Sequence, residues 1–109
     1  MKKNLKAPLR LYNGASVKVT ETENGKEVTK EIMICDQIGQ ALWECSQSTG
    51  LSPQEKYQAF KIAQRIVKNP EKVDLSTEDI SLIKRIIGGF YSPGFYGQMV
   101  ELLEGESGK

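Results

Sequence analysis

Residues 15–34, ASVKVTETENGKEVTKEIMI, decide the fold. Asn24-Gly25 sets two residues that tolerate positive φ between two strand-like runs, the pattern of a two-residue β-hairpin with a type I′ turn. Counting outward from that turn pairs Glu21 with Val28, Thr20 with Thr29, Val19 with Lys30, Lys18 with Glu31 and Val17 with Ile32. One face then collects Val17, Val19, Val28 and Ile32, and the other holds the Thr20/Thr29 pair and the opposite charges of Lys18 and Glu31. Such cross-strand neighbours favour this register over its one-residue slip. A two-stranded hairpin is marginal by itself in water. The apolar face is therefore expected against helical residues, the Ile80 to Ile87 stripe or its neighbours, with Leu9 to Tyr12 as a candidate third strand.

Beyond the hairpin the apolar period changes from that of a strand to that of a helix. Asp36 is the expected cap of a first helix that carries Ile38, Ala41, Leu42 and Cys45 and ends near Thr49-Gly50. The second helix opens on Leu51-Ser52-Pro53-Gln54-Glu55, with serine at the N-cap, proline in the first helical position and glutamate completing a capping box. Its inner stripe reads Ala59, Phe60, Ala63, Ile66 and Val67. Asn69-Pro70 stops it, because proline disfavours helical geometry in the residue before it. A third helix starts at Leu75-Ser76-Thr77-Glu78-Asp79, with acids where the macrodipole favours them, Leu75 stapled to Ile80, and the stripe Ile80, Ile83, Ile86, Ile87. Gly88-Gly89 ends that helix, and Tyr91-Ser92-Pro93 begins a fourth with Phe95, Tyr96, Met99, Val100 and Leu103 on one side, closing at Gly105.

The expected architecture is α+β: an N-terminal β-hairpin packed on about four short helices, joined by connections short enough to make consecutive helices antiparallel neighbours. Residues 1–109 read as one domain, with a basic arm or edge strand over 1–13, the hairpin over 15–34, a helical part over 36–105 and a frayed tail over 106–109. The helix-starting serines at 52, 76 and 92 are unequally spaced, which argues against a repeat array.

Composition narrows the function classes. A chain of 109 residues suits one core, and 39% hydrophobic with 27% charged residues is globular rather than disordered. Fifteen basic against fourteen acidic residues leave a formal charge of +1, with no global field to draw the protein onto nucleic acid or anionic lipid. The start MKKNLKAPLRLYN is positively charged, but Lys6, Pro8, Arg10 and Asn13 break the apolar stretch a signal peptide needs. The longest apolar run, Ile32 to Cys35, is far shorter than the ~20 residues that span a bilayer. A cytoplasmic chain without a membrane span is expected.

The chain has no histidine and two cysteines, too few ligands for a zinc site or a disulfide framework. Cys35, closing an apolar strand, and Cys45, on the inner face of the first helix, read as small hydrophobes. Neither has the basic neighbour that activates a thiolate, and no nucleophile elbow, phosphate-binding loop or dinucleotide fingerprint occurs. Residues 71–79 lack the central glycine and alternating oxygen ligands of a calcium loop. The expectation is a non-enzymatic chain with no catalytic residue, no cofactor and no metal.

Two clusters remain. Lys61, Arg65 and Lys68 make a basic row on the second helix and, with Lys84 and Arg85 on the third, a candidate nucleic-acid patch. Residues 88–97, GGFYSPGFYG, concentrate glycines that admit close approach and aromatics that supply contact area, so Phe90, Tyr91, Phe95 and Tyr96, together with Trp43, are the candidate protein interface.

The stretch DLSTEDISLIKRIIGGFYSPGFYGQMVELLEGE, residues 74–106, resembles the C-terminal part of a group of small uncharacterised phage and prophage proteins. The likeness rests on Leu75, Ser76, Glu78, Asp79 and Ile80 at the helix start, on Gly88, Tyr91 and Pro93 at the turn, and on Gly97, Gln98, Leu102, Leu103 and Glu104 beyond it, with further agreement over 55–68. It implies a mobile-element setting, in which small proteins of this size commonly act by binding another protein. The expected function is a protein-interaction module, self-associating or docking on a larger phage or host protein. The alternative is a small nucleic-acid-binding regulator.

Overall fold

In the computed structural model of the chain, residues 2–44 and 50–104 are described. The hairpin forms in the expected register: β2 (Lys18–Glu23) pairs antiparallel with β3 (Lys26–Glu31), from Lys18 opposite Glu31 to Glu23 opposite Lys26. Asn24 at φ 53° and Gly25 at φ 79° supply the two left-handed residues of the type I′ turn.

The apolar face of the hairpin is not buried as expected. Val19 is exposed, Val17, Val28 and Ile32 are only partly covered, and neither strand packs extensively on a helix. The reason lies in the cross-strand partners: Val19 stands opposite Lys30 and Val28 opposite Glu21. Lys30 reaches Glu23 at 2.9 Å and Glu21 at 3.6 Å, and hydrogen bonding to Glu23 holds its ammonium pKa above the ordinary lysine value. Burying the four valine and isoleucine side chains would strip water from this charge network, which costs more than so small an apolar area returns. The ribbon therefore stands out from the body.

Only its base is held. Leu9 N–H donates to Ile32 O at 2.8 Å, Val17 N–H to Leu9 O at 2.8 Å and Ile32 N–H to Val17 O at 2.9 Å, a closed triangle of three backbones. The candidate third strand is thus reduced to isolated bridges, Pro8 with Met33 and Arg10 with Ser16. Leu11 and Tyr12 turn away, since Leu11 N–H donates to Ala15 O and Gly14, at φ 89°, closes a tight turn. The Gln98 side chain grips the arm from the other side, accepting from Arg10 N–H at 2.8 Å and donating to Arg10 O at 2.7 Å.

A second small sheet, not expected from the sequence, ties down the chain start: β1 (Lys2–Lys3) pairs with β4 (Val73–Asp74). Leu5 and Leu9 are buried between these anchor points. The arm is therefore core as well as edge.

Helix α1 (Ile34–Glu44) begins before Asp36, which lies in its first turn instead of at the cap, and Cys35 is helical rather than the end of a strand. Helix α2 (Pro53–Lys68) has the capping box at Ser52 and Glu55, and α3 (Thr77–Gly88) repeats it with Ser76 and Asp79. Helix α4 (Pro93–Glu104) buries Met99 and Leu103. Cys45, Thr49, Gly105 and the tail at 106–109 lie outside the described residues.

The described core is one cluster centred on Ile80, Ile83, Ile86 and Ile87 of α3, joined by Ile38 and Leu42 of α1 and Ala59, Ile62, Ala63 and Ile66 of α2. In α2 this rotates the inner stripe: Ile62 is buried, whereas Phe60 and Val67, expected inside, face outward. Glycine at 25 should prove necessary only to the ribbon. Gly25→Val forces a β-branched residue toward positive φ at about 1–3 kcal/mol. Amide hydrogen exchange should then accelerate over 18–31 while protection at Ile83 and Ile86 stays unchanged. Ile83→Ala should lower urea stability by about 2–5 kcal/mol. Equal urea shifts for the two variants would make the ribbon part of the cooperative core.

Candidate functional site: an apolar groove between α1 and α2

The helix pair α1 and α2 is positioned by its ends. Ser52 Oγ accepts from Glu55 N–H at 3.2 Å, and Glu55 Oε1 accepts from Ser52 N–H at 3.0 Å. Arg85 of α3 donates to the same carboxylate at 2.9 Å. That contact, with the Ser52 N–H, holds the Glu55 pKa below the ordinary value. The N-terminus of α2 is thereby fixed to α3 while its inner stripe packs on α1.

Between the two helices lies a groove of about 530 Å³. Gly39 of α1 and Ala63 of α2 make its floor, Trp43 and Val67 its sides, and Gln40, Gln64 and Lys68 its rim. Gly39 and Ala63 are small, so the helices sink together and leave a trough above them; a Cβ built on Gly39 would already touch Ile66 Cγ2 at 3.9 Å.

Around the groove the surface is apolar and aromatic. Trp43 is 60%, Tyr57 62% and Val67 81% exposed, fractions that exclude a core role for these side chains. The Trp43 and Phe60 ring centroids are 5.2 Å apart, Phe60 and Tyr57 are 6.1 Å apart and stacked, and Lys61 Nζ lies 5.8 Å from the Tyr57 ring centre. Aromatic pairs at these separations hold each other in place.

Of the candidate interface residues singled out in the sequence, Trp43 alone falls here, with Lys68 of the basic patch on the rim. Phe90 is exposed and pairs with Tyr91, whose hydroxyl donates to Gln37 O at 2.9 Å. Burial, then the Glu44 carboxylate, pushes the Tyr91 pKa up, so the phenol stays a donor. Phe95 and Tyr96 are partly buried against the core. The glycine-aromatic segment thus mainly docks α4, and among the described residues no ring contact joins it to Trp43. Phe60, Tyr57 and Val67 were missed as site residues; the available signal was a second apolar row on α2, set at Tyr57, Phe60 and Val67.

The basic patch is largely neutralised. Arg65 donates to Asp79 at 3.0 Å and to Asp74 O at 3.2 Å, Arg85 is bound to Glu55, and Lys84 is bound to Glu104, which raises the lysine pKa. Lys68 lines the groove and Lys61 lies over the neighbouring Tyr57 ring, neither with a carboxylate partner among the described residues.

No family model, no curated protein and no solved structure matches this chain. The groove must be read from its own chemistry. Among the described residues no group of histidine, cysteine, aspartate or glutamate could hold a metal ion, and no helix is long and apolar enough to cross a membrane. The buried Cys35 thiol has its pKa pushed up, first by burial and then by Asp36, which keeps it protonated and unreactive.

Asp79 is the described buried charge, and its partners account for it. Burial raises its pKa, but bonds from Ser76 N–H, Gln58 and Arg65 outweigh that and leave it below the ordinary value. The folded-state pKa lies below the unfolded value of about 3.9, so ionised Asp79 stabilises the fold at neutral pH and that contribution disappears as pH falls through the depressed value. Asp79→Asn should lower stability at neutral pH by about 1–3 kcal/mol and flatten the acid side of a plot of urea midpoint against pH. An unchanged acid side would show that the carboxylate is not the group titrating there.

Proposed function

We propose that the chain is a non-enzymatic protein-interaction module that takes its partner in the groove between α1 and α2. The observation that carries this reading is the contiguous exposed apolar surface of Trp43, Tyr57, Phe60 and Val67 around a concave floor. Exposed aromatics gathered about a groove are what protein interfaces bury at their centre, whereas isolated surface hydrophobes carry no such meaning. The buried polar and thiol groups support it indirectly, since Asp79 caps a helix, Tyr91 anchors α1 and Cys35 is held as a thiol. The resemblance to small phage and prophage proteins adds a mobile-element setting and a cytoplasmic location to the proposal. The nucleic-acid alternative is left with Lys61 and Lys68 of its five cations outside ion pairs.

The test uses a photoreactive residue in place of Val67, and another in place of Glu78 on α3 as the control, to capture the partner in the native cell. The partner is then purified and its affinity measured by calorimetry. Val67→Glu and Trp43→Ala should each weaken binding about tenfold or more, a loss of roughly 1.4 kcal/mol or above. Both positions are exposed, so thermal unfolding should move little. Affinity unaffected by either substitution would overturn the groove as the docking surface.

A further inference from the structure

Helix α2 carries two neighbouring outward rows. One is Tyr57, Phe60, Gln64 and Val67; the other, a small rotation around the helix, is the cationic row of Lys61, Arg65 and Lys68. Arg65 is drawn off to Asp79 and leaves the row with two lysines, seven residues or about 10 Å apart along the axis. We infer that the partner is an amphipathic helix whose apolar side chains enter between Trp43 and Val67 and whose acidic residues, two turns apart, meet Lys61 and Lys68. The inference rests on the docking reading above and adds the chemistry of what docks.

Three features favour this occupant. The apolar row from Tyr57 to Val67 spans about 15 Å, the length of three turns of a partner helix laid alongside. The floor of Gly39 and Ala63 admits large side chains rather than a flat surface. The two unpaired lysines lie on one margin, which fixes the rotational setting of a helix bearing acids beside its apolar stripe.

A second copy fits less well: a two-fold axis across α2 sets Lys61 opposite Lys68 of the other chain, like charge against like. A duplex fits less well again, since its evenly charged backbone would lie on Trp43 and Val67. A lipid surface would take the protruding Trp43, Tyr57 and Val67 but leave the recessed floor of Ala63 and Gly39 unfilled.

Trp43 is the sole tryptophan, so its fluorescence reports from the groove itself. The probes are synthetic helical peptides of about 15 residues, enough for three turns and their ends, with Leu, Ile, Met or Phe at the anchor positions. Each is made in an acidic version, with two glutamates seven residues apart beside the stripe, and in a basic twin with lysines there. Acidic peptides should shift Trp43 emission saturably and bind about tenfold tighter than their twins, and Lys61→Glu with Lys68→Glu should invert the preference. Circular dichroism of that double variant should match the parent.

Equal binding of both versions, unchanged in the double variant, overturns the acidic helix and leaves the docking surface standing. No binding of any peptide, with capture at position 67 also negative, overturns both. A concentration-dependent Trp43 shift without peptide, with a dimer in sedimentation, replaces the helix with a second copy. A stronger shift with phosphatidylcholine–phosphatidylglycerol vesicles than with any peptide replaces it with a lipid surface.

Discussion

The isoleucine row of α3 is the constraint on which the other helices depend. Ile83, Ile86 and Ile87 are fully buried, and α1, α2 and α4 all pack on the helix that carries them. Its N-terminus is fixed twice over, by its own capping box and by Arg65 and Gln58 reaching Asp79 from α2. Because α1 and α2 pack closely on each other as well as on α3, the small residues Gly39 and Ala63 leave a depression along their outer seam. The groove above them is a by-product of that geometry, open on the side away from α3.

The polar contacts divide by purpose. Those around Asp79, Glu55 and Gln98 join elements far apart in sequence and are satisfied within the chain. Such groups stabilise by leaving no orphaned donor or acceptor. On α1 and α2 they leave one face open, with Trp43, Tyr57, Phe60 and Val67 beside Lys61 and Lys68; Leu11, Tyr12, Val19 and Phe90 are exposed elsewhere.

How far the sequence discloses this can be traced residue by residue. The hairpin register was legible because a two-residue Asn-Gly turn admits a single counting of partners, and the capping boxes because their residue types have a local, short-range cause. The same register puts Lys30 and Glu21 on the face with Val19 and Val28, so the exposure of the ribbon is written in the pairing as well. The helical spacing of α2 could not decide between its two apolar rows. Rows at 59, 63, 66 and at 60, 67 are both periodic, and Ile62 settles the matter only once α3 is known to lie on that side. The β1–β4 pairing was out of reach, because two-residue strands bring residues 2 and 74 together with no local pattern at either place.

The triangle of backbones at Leu9, Val17 and Ile32 has a consequence for how the molecule can change. Among the described residues no hydrogen bond or ion pair ties the ribbon beyond that knot to the body, so the length of the ribbon is a dimension the core does not read. Residues can be added or removed in cross-strand pairs, provided each strand changes by two, and every side chain keeps its face. A single-residue change in either strand would instead turn the valines and the charge ladder over, or force a bulge. The projection can therefore lengthen or shorten in discrete steps across variants of this fold while the helical body and its groove remain as they are.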